Sequence, residues 1–217
     1  LRHVVHLWNR RLIDKGIINL YRTEEDMRLW SKDQYYELVK DIINEKDWEK
    51  FWKWWPHSHD AKENIDEKVM FGKHHPGYPY DKKLFMDTYM SLVSETHSGH
   101  CHPYVIGNGT CNDQFFLSEK LVKAIGNGHP FVVLATQNYL KQLTEYGYKT
   151  FSPYIDESYD KEPHPELRMV KAIDSIEKIC KEGVPVSCLE IALHNQETLK
   201  NRYGGVIREL VKIVNEK

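Results

Sequence analysis

The stretch FFLSEKLVKAIGNGHPFVVLA, residues 115–135, decides how this chain folds. Ser118 suits a helix N-cap, and the run from Ser118 to Ile125 repeats apolar residues at helical spacing. Gly126-Asn127-Gly128 stops that helix. Phe131 to Ala135 is then a short apolar run of the kind that forms a fully buried strand. Outward from this helix–strand pair the alternation continues. Tyr89 to Glu95 (YMSLVSE) reads as a strand with small polar residues at its end, Asn138 to Tyr146 as a helix ending at Gly147, and Lys149 to Phe151 as another short strand. Two longer helices are expected near 164–182 and 189–215. Strands alternating with helices predict an α/β fold, a Rossmann-like parallel sheet with flanking helices over residues 84–217. Sheets of this kind bind ligands at the carboxyl ends of their strands, beside helix amino termini.

Residues 1–83 differ in kind. All six tryptophans lie within the first 55 residues, whereas all four cysteines (101, 111, 180, 188) lie beyond residue 100. Ser31 with Gln34 forms a capping-box pattern. Tyr35, Leu38 and Ile42, then Trp48, Phe51, Trp52 and Trp55, follow helical spacing. Such a stripe is expected to pack as core or to dock on another element; a sugar-stacking platform is the weaker reading. Pro56, Gly72, Pro76, Gly77 and Pro79, with His57, His59, His74 and His75, mark residues 56–83 as an irregular connector of solvated loop histidines. This part is expected to be helical and irregular, and an exposed tryptophan stripe favours a homo-oligomer.

Composition narrows the classes. Of 217 residues, 41% are hydrophobic and 29% charged, ordinary values for a globular chain, which excludes a disordered or low-complexity architecture. The net charge of −2 is evenly spread: residues 1–83 carry 16 basic and 15 acidic groups, residues 84–217 carry 14 and 17. That balance argues against a non-specific nucleic-acid binder, which needs a basic stripe. Apolar runs reach about six residues, against roughly 20 for a membrane span. Arg2, Arg10 and Arg11 interrupt the first apolar stretch, so no signal peptide is expected, and without an initiator Met the amino terminus is expected to be a processed or cloned boundary. Four cysteines are too few for a disulfide scaffold, which points to a reducing, cytoplasmic setting.

Chemistry concentrates at Ser118, Glu119 and Lys120. A capped helix start presents free backbone N–H groups and a positive dipole end, a natural phosphate site. Lys120 can add a point charge against a diphosphate, and Glu119 can accept hydrogen bonds from ribose hydroxyls. The same tripeptide also suits an ordinary capped surface helix with a stabilising first-turn Glu. Between SET and SEK lies an insert with His97, His100, Cys101, His102 and Cys111, which can be read as a zinc site or, with no paired CxxC or HxxxH beside it, as a polar loop.

The segments SLVSETHSG, FFLSEKLVKAIGNGHPFVVLA and LKQLTEYGYKTFSPYIDESYD, in that order over about residues 86–175, resemble a family of phage and large-virus glycosyltransferase-like proteins. The shared pattern is strand-E-T, F-L-[ST]-E-K, a G-x-P-F strand, L-x-x-L-x-x-x-G-[FY]-x-T-F and D-E-x-Y-D; RHVVHLWNRRLIDKG at the start of the chain is a looser match. The E…[ST]-E-K core is similar to the donor-binding half of GT-B glycosyltransferases, the fucosyltransferases especially. That resemblance implies a metal-independent transferase using a nucleotide-sugar donor and no cofactor, with a glycan, protein or modified-DNA acceptor. It implies Glu119 at the ribose, Lys120 at the pyrophosphate, and Glu95 facing the same crevice, with Glu95 and His97 as the catalytic candidates. His3, His6 and His97 qualify as general base because imidazole titrates near neutrality. Asp156, Glu157, Tyr159 and Asp160 belong to the shared pattern, and a turn followed by a capped helix explains them equally well. A complete GT-B enzyme has two Rossmann-like domains, so residues 1–83 are expected to be an acceptor-domain remnant or the chain a binding module that no longer transfers.

Overall fold

A computed structural model of the chain describes residues 1–16, 31–55, 85–95, 115 and 117–215, without the side chains of Glu119 and residues 205–215. The chain forms two compact units, Leu1–Thr88 and Tyr89–Lys217, dividing slightly beyond the boundary drawn at residue 83.

The described part of the first unit is helical: α1 (Arg2–Asn9), a 3-10 turn (Ile13–Lys15), α2 (Lys32–Glu37) and α3 (Glu45–Trp54). Ser31 makes the expected capping box, accepting from Gln34 N–H while its own N–H donates to the Gln34 side chain at 2.7 Å. Asn44 caps α3 by accepting from Asp47 N–H at 2.9 Å. Trp48, Phe51 and Trp55 turn inward and are buried. Trp48 stacks on Phe51 at 5.6 Å, and Trp8 of α1 meets Phe51 edge-on at 5.5 Å. The Trp48, Phe51 and Trp55 part of the stripe is therefore core, whereas ahead of it Leu38 is exposed and Val39 and Ile43 are the buried residues. The Arg2 guanidinium grips Asp41 at 2.8 and 2.9 Å and donates to the Leu38 carbonyl, tying α1 to the turn after α2. The connector read over 56–83 lies outside the described residues.

The second unit is mixed α/β, mostly helical, with a small parallel sheet. Strand β1 (Ser91–Ser94) pairs with β2 (Phe131–Leu134) in the register Ser91 to Phe131 through Ser94 to Leu134. Between them runs α4 (Glu119–Gly126), and after them α5 (Tyr139–Glu145), a 3-10 turn (Ser158–Lys161), α6 (Pro165–Glu182) and α7 (Cys188–Asn215). Every residue of β2 is buried, as its unbroken apolar run requires. Helices end where left-handed glycines permit it: Gly147 (φ 87°) closes α5 and Gly183 (φ 85°) closes α6. Pro165 opens α6 with His164 as its N-cap. Helix α7 lies against α4, where Gln196 donates to the Gly126 carbonyl at 2.7 Å.

One element differs from expectation. Lys149 to Phe151 is not a strand. Its backbone satisfaction comes from the side chain of Asn195 on α7, which accepts from Lys149 N–H at 2.7 Å and donates to Lys149 C=O at 2.8 Å. A buried amide thus stands in for a neighbouring strand, so no ladder forms despite a strand-like sequence. Among the described residues, no helix is long and apolar enough to cross a membrane.

Candidate functional site

Because β1 and β2 are parallel and only four residues separate α4 from β2, α4 must run back along the sheet. Its carboxyl end sits at the strands' beginnings, where Ser91 Oγ meets His129 Nδ1 at 2.8 Å. Its amino end therefore points toward the strands' carboxyl ends. Glu95, Thr136 and the start of α5 follow those strand ends directly in the chain, and these groups line one edge.

Ser118 caps α4 as the sequence predicts. It is buried, and its Oγ accepts from Lys120 N–H at 3.1 Å while its carbonyl accepts from Val122 N–H at 3.0 Å. The cap engages one donor of the first turn and leaves the remaining N–H groups of that turn without intrahelical acceptors. Lys120 is half-buried in the same turn. Glu119 opens the helix, and its side chain lies outside the described residues.

Glu95 is 5% exposed. Its N–H donates to the Leu134 carbonyl at 2.9 Å, extending the ladder one step and fixing the residue at the sheet edge. Its carboxylate oxygens are buried, and its charge is felt by Tyr139 in the first turn of α5. Burial, then the nearby negative charge of Glu95, push the Tyr139 phenol well above its ordinary value, so it stays protonated. Phe115, just ahead of α4, packs on Tyr139 at 4.9 Å and on Tyr146 at 4.8 Å. Thr136, 1% exposed, holds a buried hydroxyl with no hydrogen-bond partner among the described residues.

The D-E-x-Y-D segment builds the scaffold behind this edge. Asp160 accepts from Leu140 N–H at 2.8 Å and Lys141 N–H at 3.3 Å, and its carbonyl accepts from Asn138 N–H at 2.7 Å. It caps α5, the helix before it, rather than the one that follows. Burial raises the Asp160 carboxyl, opposed by those N–H groups and by Arg168. Arg168, 2% exposed, donates to the Ala135 carbonyl at 2.9 Å and to the Glu162 and Pro163 carbonyls. The Tyr159 hydroxyl accepts from Val133 N–H at 3.5 Å and so covers the outer edge of β2. Glu157 accepts from Phe151 N–H at 2.7 Å, and burial raises its carboxyl to about 7. The Asp156 carboxylate accepts from Ser158 N–H at 2.9 Å, which holds it below its usual range.

Sequence reasoning named Ser118, Glu119, Lys120 and Glu95; it missed Thr136 and Tyr139, and it left Asp160 without a role. The signal for the first two was position, since residues two to five beyond a buried strand of a parallel unit face the ligand edge. His97 and the candidate zinc residues His100, Cys101, His102 and Cys111 lie outside the described residues. Among the described residues, no group of three or more His, Cys, Asp or Glu side chains is placed to hold a metal ion. Of the alternative bases, His3 lies on α1 and is held neutral, its imidazole lowered to about 3 by burial and neighbouring positive charge. No protein-family model, curated protein or solved structure matches the chain.

Proposed function

We propose that residues 89–217 form a Rossmann-like, GT-B donor-type domain that binds a nucleotide-sugar at the carboxyl edge of β1 and β2, and that the protein transfers the glycosyl group without a metal. The reading rests on one observation: a parallel strand–helix–strand unit brings a Ser118-capped helix start and the buried carboxylate of Glu95 to one edge. The diphosphate takes the first-turn N–H groups of α4 and the Lys120 ammonium; Glu119 takes the ribose. The bond from the anomeric carbon to the phosphate oxygen breaks, and the nucleoside diphosphate leaves with the electron pair. The acceptor hydroxyl oxygen bonds to that carbon and gives its proton to a base, for which Glu95 and His97 are the candidates. Lys120 and the helix dipole stabilise the departing negative charge. The phage and large-virus glycosyltransferase-like proteins that the segments resemble support the same assignment, with a glycan, protein or modified-DNA acceptor.

Thermal stability followed against a panel of nucleoside diphosphates and nucleotide-sugars tests this. A nucleotide at 100 times its dissociation constant is expected to stabilise the protein by about 2.7 kcal/mol. Lys120→Ala is expected to abolish most of that shift and leave the fold intact. A binding protein without turnover would mean a module that has kept the donor pocket alone. An equal shift in Lys120→Ala would remove the diphosphate assignment.

A further inference from the structure

The chain leaves β2 through Ala135 and the loop Thr136-Gln137-Asn138, at the carboxyl edge of the sheet. The backbone of this loop is firmly held. The Ala135 carbonyl accepts from Arg168 Nε at 2.9 Å, and the Thr136 carbonyl accepts from Tyr139 N–H at 3.3 Å. Asn138 N–H donates to the Asp160 carbonyl at 2.7 Å, and the Asn138 carbonyl accepts from Gln142 N–H at 3.0 Å. Of the loop's side chains, Gln137 is tied into the same scaffold, donating to the Lys161 carbonyl at 2.9 Å. The other two are not. The Thr136 hydroxyl is buried and the Asn138 carboxamide half-buried, and neither has a hydrogen-bond partner among the described residues.

Both side chains depart from what their positions ordinarily require. An N-cap residue usually takes an extended backbone and turns its own side chain onto the first helical N–H groups. Asn138 does neither. Its backbone is left-handed, at φ 60° and ψ 22°, and the Asp160 carboxylate takes Leu140 N–H at 2.8 Å and Lys141 N–H at 3.3 Å in its place. Asp160 thereby relieves the Asn138 amide of capping. Thr136 is 1% exposed, and a buried hydroxyl without a partner costs stability. At the ligand edge of a parallel sheet, such a group is explained by a ligand that supplies the partner. We propose that Thr136 and Asn138 are the sugar subsite of the donor site, the hydroxyl and the carboxamide hydrogen-bonding to hydroxyl groups of the transferred sugar. The proposal rests on the nucleotide-sugar reading above, which assigns the diphosphate and ribose to α4 and leaves the β2 loop for the sugar. Each sugar hydroxyl both donates and accepts, as do a threonine hydroxyl and an amide. Half-buried Asn138 meets the sugar first, and the Thr136 hydroxyl, beyond the reach of water, gains its partner as the edge adjusts to the ligand. The D-E-x-Y-D segment gains a role by this route: Asp160 positions the loop without touching ligand itself.

Calorimetric titration of the full chain with UDP, GDP, UDP-glucose, UDP-galactose and GDP-mannose tests this. Asn138→Gly keeps the left-handed backbone, which glycine adopts freely, and removes only the carboxamide. Thr136→Val keeps the shape and removes only the hydroxyl. Each is expected to weaken binding of the nucleotide-sugar that the native protein takes by about tenfold, the worth of one hydrogen bond. Affinity for the bare nucleoside diphosphate is expected to stay unchanged. Thr136→Ser, which keeps the hydroxyl, is expected to retain most of the native affinity. Thr136→Val is also expected to melt no lower than the native protein, so that lost affinity does not reflect lost folding. Should one variant fold poorly, the other still decides. Unchanged nucleotide-sugar affinity in both, with the diphosphate still bound, would overturn the subsite and leave the donor reading standing. Equal losses for diphosphate and nucleotide-sugar would overturn it too, by placing the two residues at the nucleotide. A native protein that binds none of these probes would remove the donor reading, and the sugar subsite with it.

Discussion

The two units of this chain stabilise themselves by opposite means. In the first, eight rings interlock among the described residues: Trp8, Tyr35, Tyr36, Trp48, Phe51, Trp52, Trp54 and Trp55 meet at centroid distances of 5.3 to 5.8 Å. The polar contacts described there are helix caps, surface ion pairs that contribute little individually, and side-chain ties from Arg2 and Asn9 of α1 to the Leu38 and Ile42 carbonyls. In the second, buried polar side chains close the structure: Asp160 caps α5, Arg168 gathers three carbonyls, Asn195 replaces a strand, and Tyr159 covers a strand edge. Aromatic packing draws mainly on buried area, with only a modest preference among ring orientations. Buried hydrogen bonds fix direction, which a ligand edge requires. The unit that carries Glu95 and Lys120 is the one held by directional contacts.

The comparison can be broken by substitution. Trp48 is 1% exposed at the centre of the first cluster. Trp48→Ala is expected to cost about 3–5 kcal/mol, and Trp48→Phe far less, since bulk is what the site needs. Chemical denaturation followed by tryptophan fluorescence measures this, because every tryptophan lies in that unit. Equal losses in the two variants would mean that indole geometry matters after all. Arg168→Ala is expected to cost about 3 kcal/mol by leaving Asp160 and the Ala135 carbonyl poorly satisfied, with Arg168→Met no better although it restores much of the volume. Amide exchange at Leu140 and Lys141 reads the effect where it should appear. Recovery in the Met variant would show that packing, not hydrogen bonding, holds this latch.

Acidity sharpens the contrast with opposite signs. Burial raises the Glu157 carboxyl from its ordinary 4.5 to about 7, so the folded state favours its protonated form. Its contribution is full below about pH 4.5 and is lost as pH rises through about 7, by something on the order of 2 kcal/mol. His3, lowered from 6.5 to about 3, works the other way: its contribution is present above pH 6.5 and is lost as pH falls toward 3. Stability measured from pH 4 to 8 is expected to lose the falling limb in Glu157→Gln and to keep it in His3→Gln. A limb that persists in Glu157→Gln belongs to another group.

Much of this was legible in the sequence where a local rule acts alone. The Ser31–Gln34 box, the Ser118 cap, the strand at Phe131 and the end of α5 at Gly147 each follow from a few adjacent residues. The inward face of Trp48, Phe51 and Trp55 follows from helical spacing. What escaped depends on contacts between distant positions. Nothing near Lys149 announces that Asn195, far along α7, will occupy its hydrogen bonds. Nothing in D-E-x-Y-D shows that Asp160 caps the helix behind it, because N-caps are ordinarily sought immediately ahead of a helix. Tyr139 passed as a helix residue because Phe115, on which its ring packs, lies well before it in the chain.

Backbone amide NMR on addition of a nucleoside diphosphate tests the central claim most directly. The account predicts shift changes concentrated at Glu119 to Leu121, with smaller ones at Glu95 and from Thr136 to Tyr139, all absent in Lys120→Ala. Changes that cluster away from the amino end of α4, or that survive in Lys120→Ala, would contradict it.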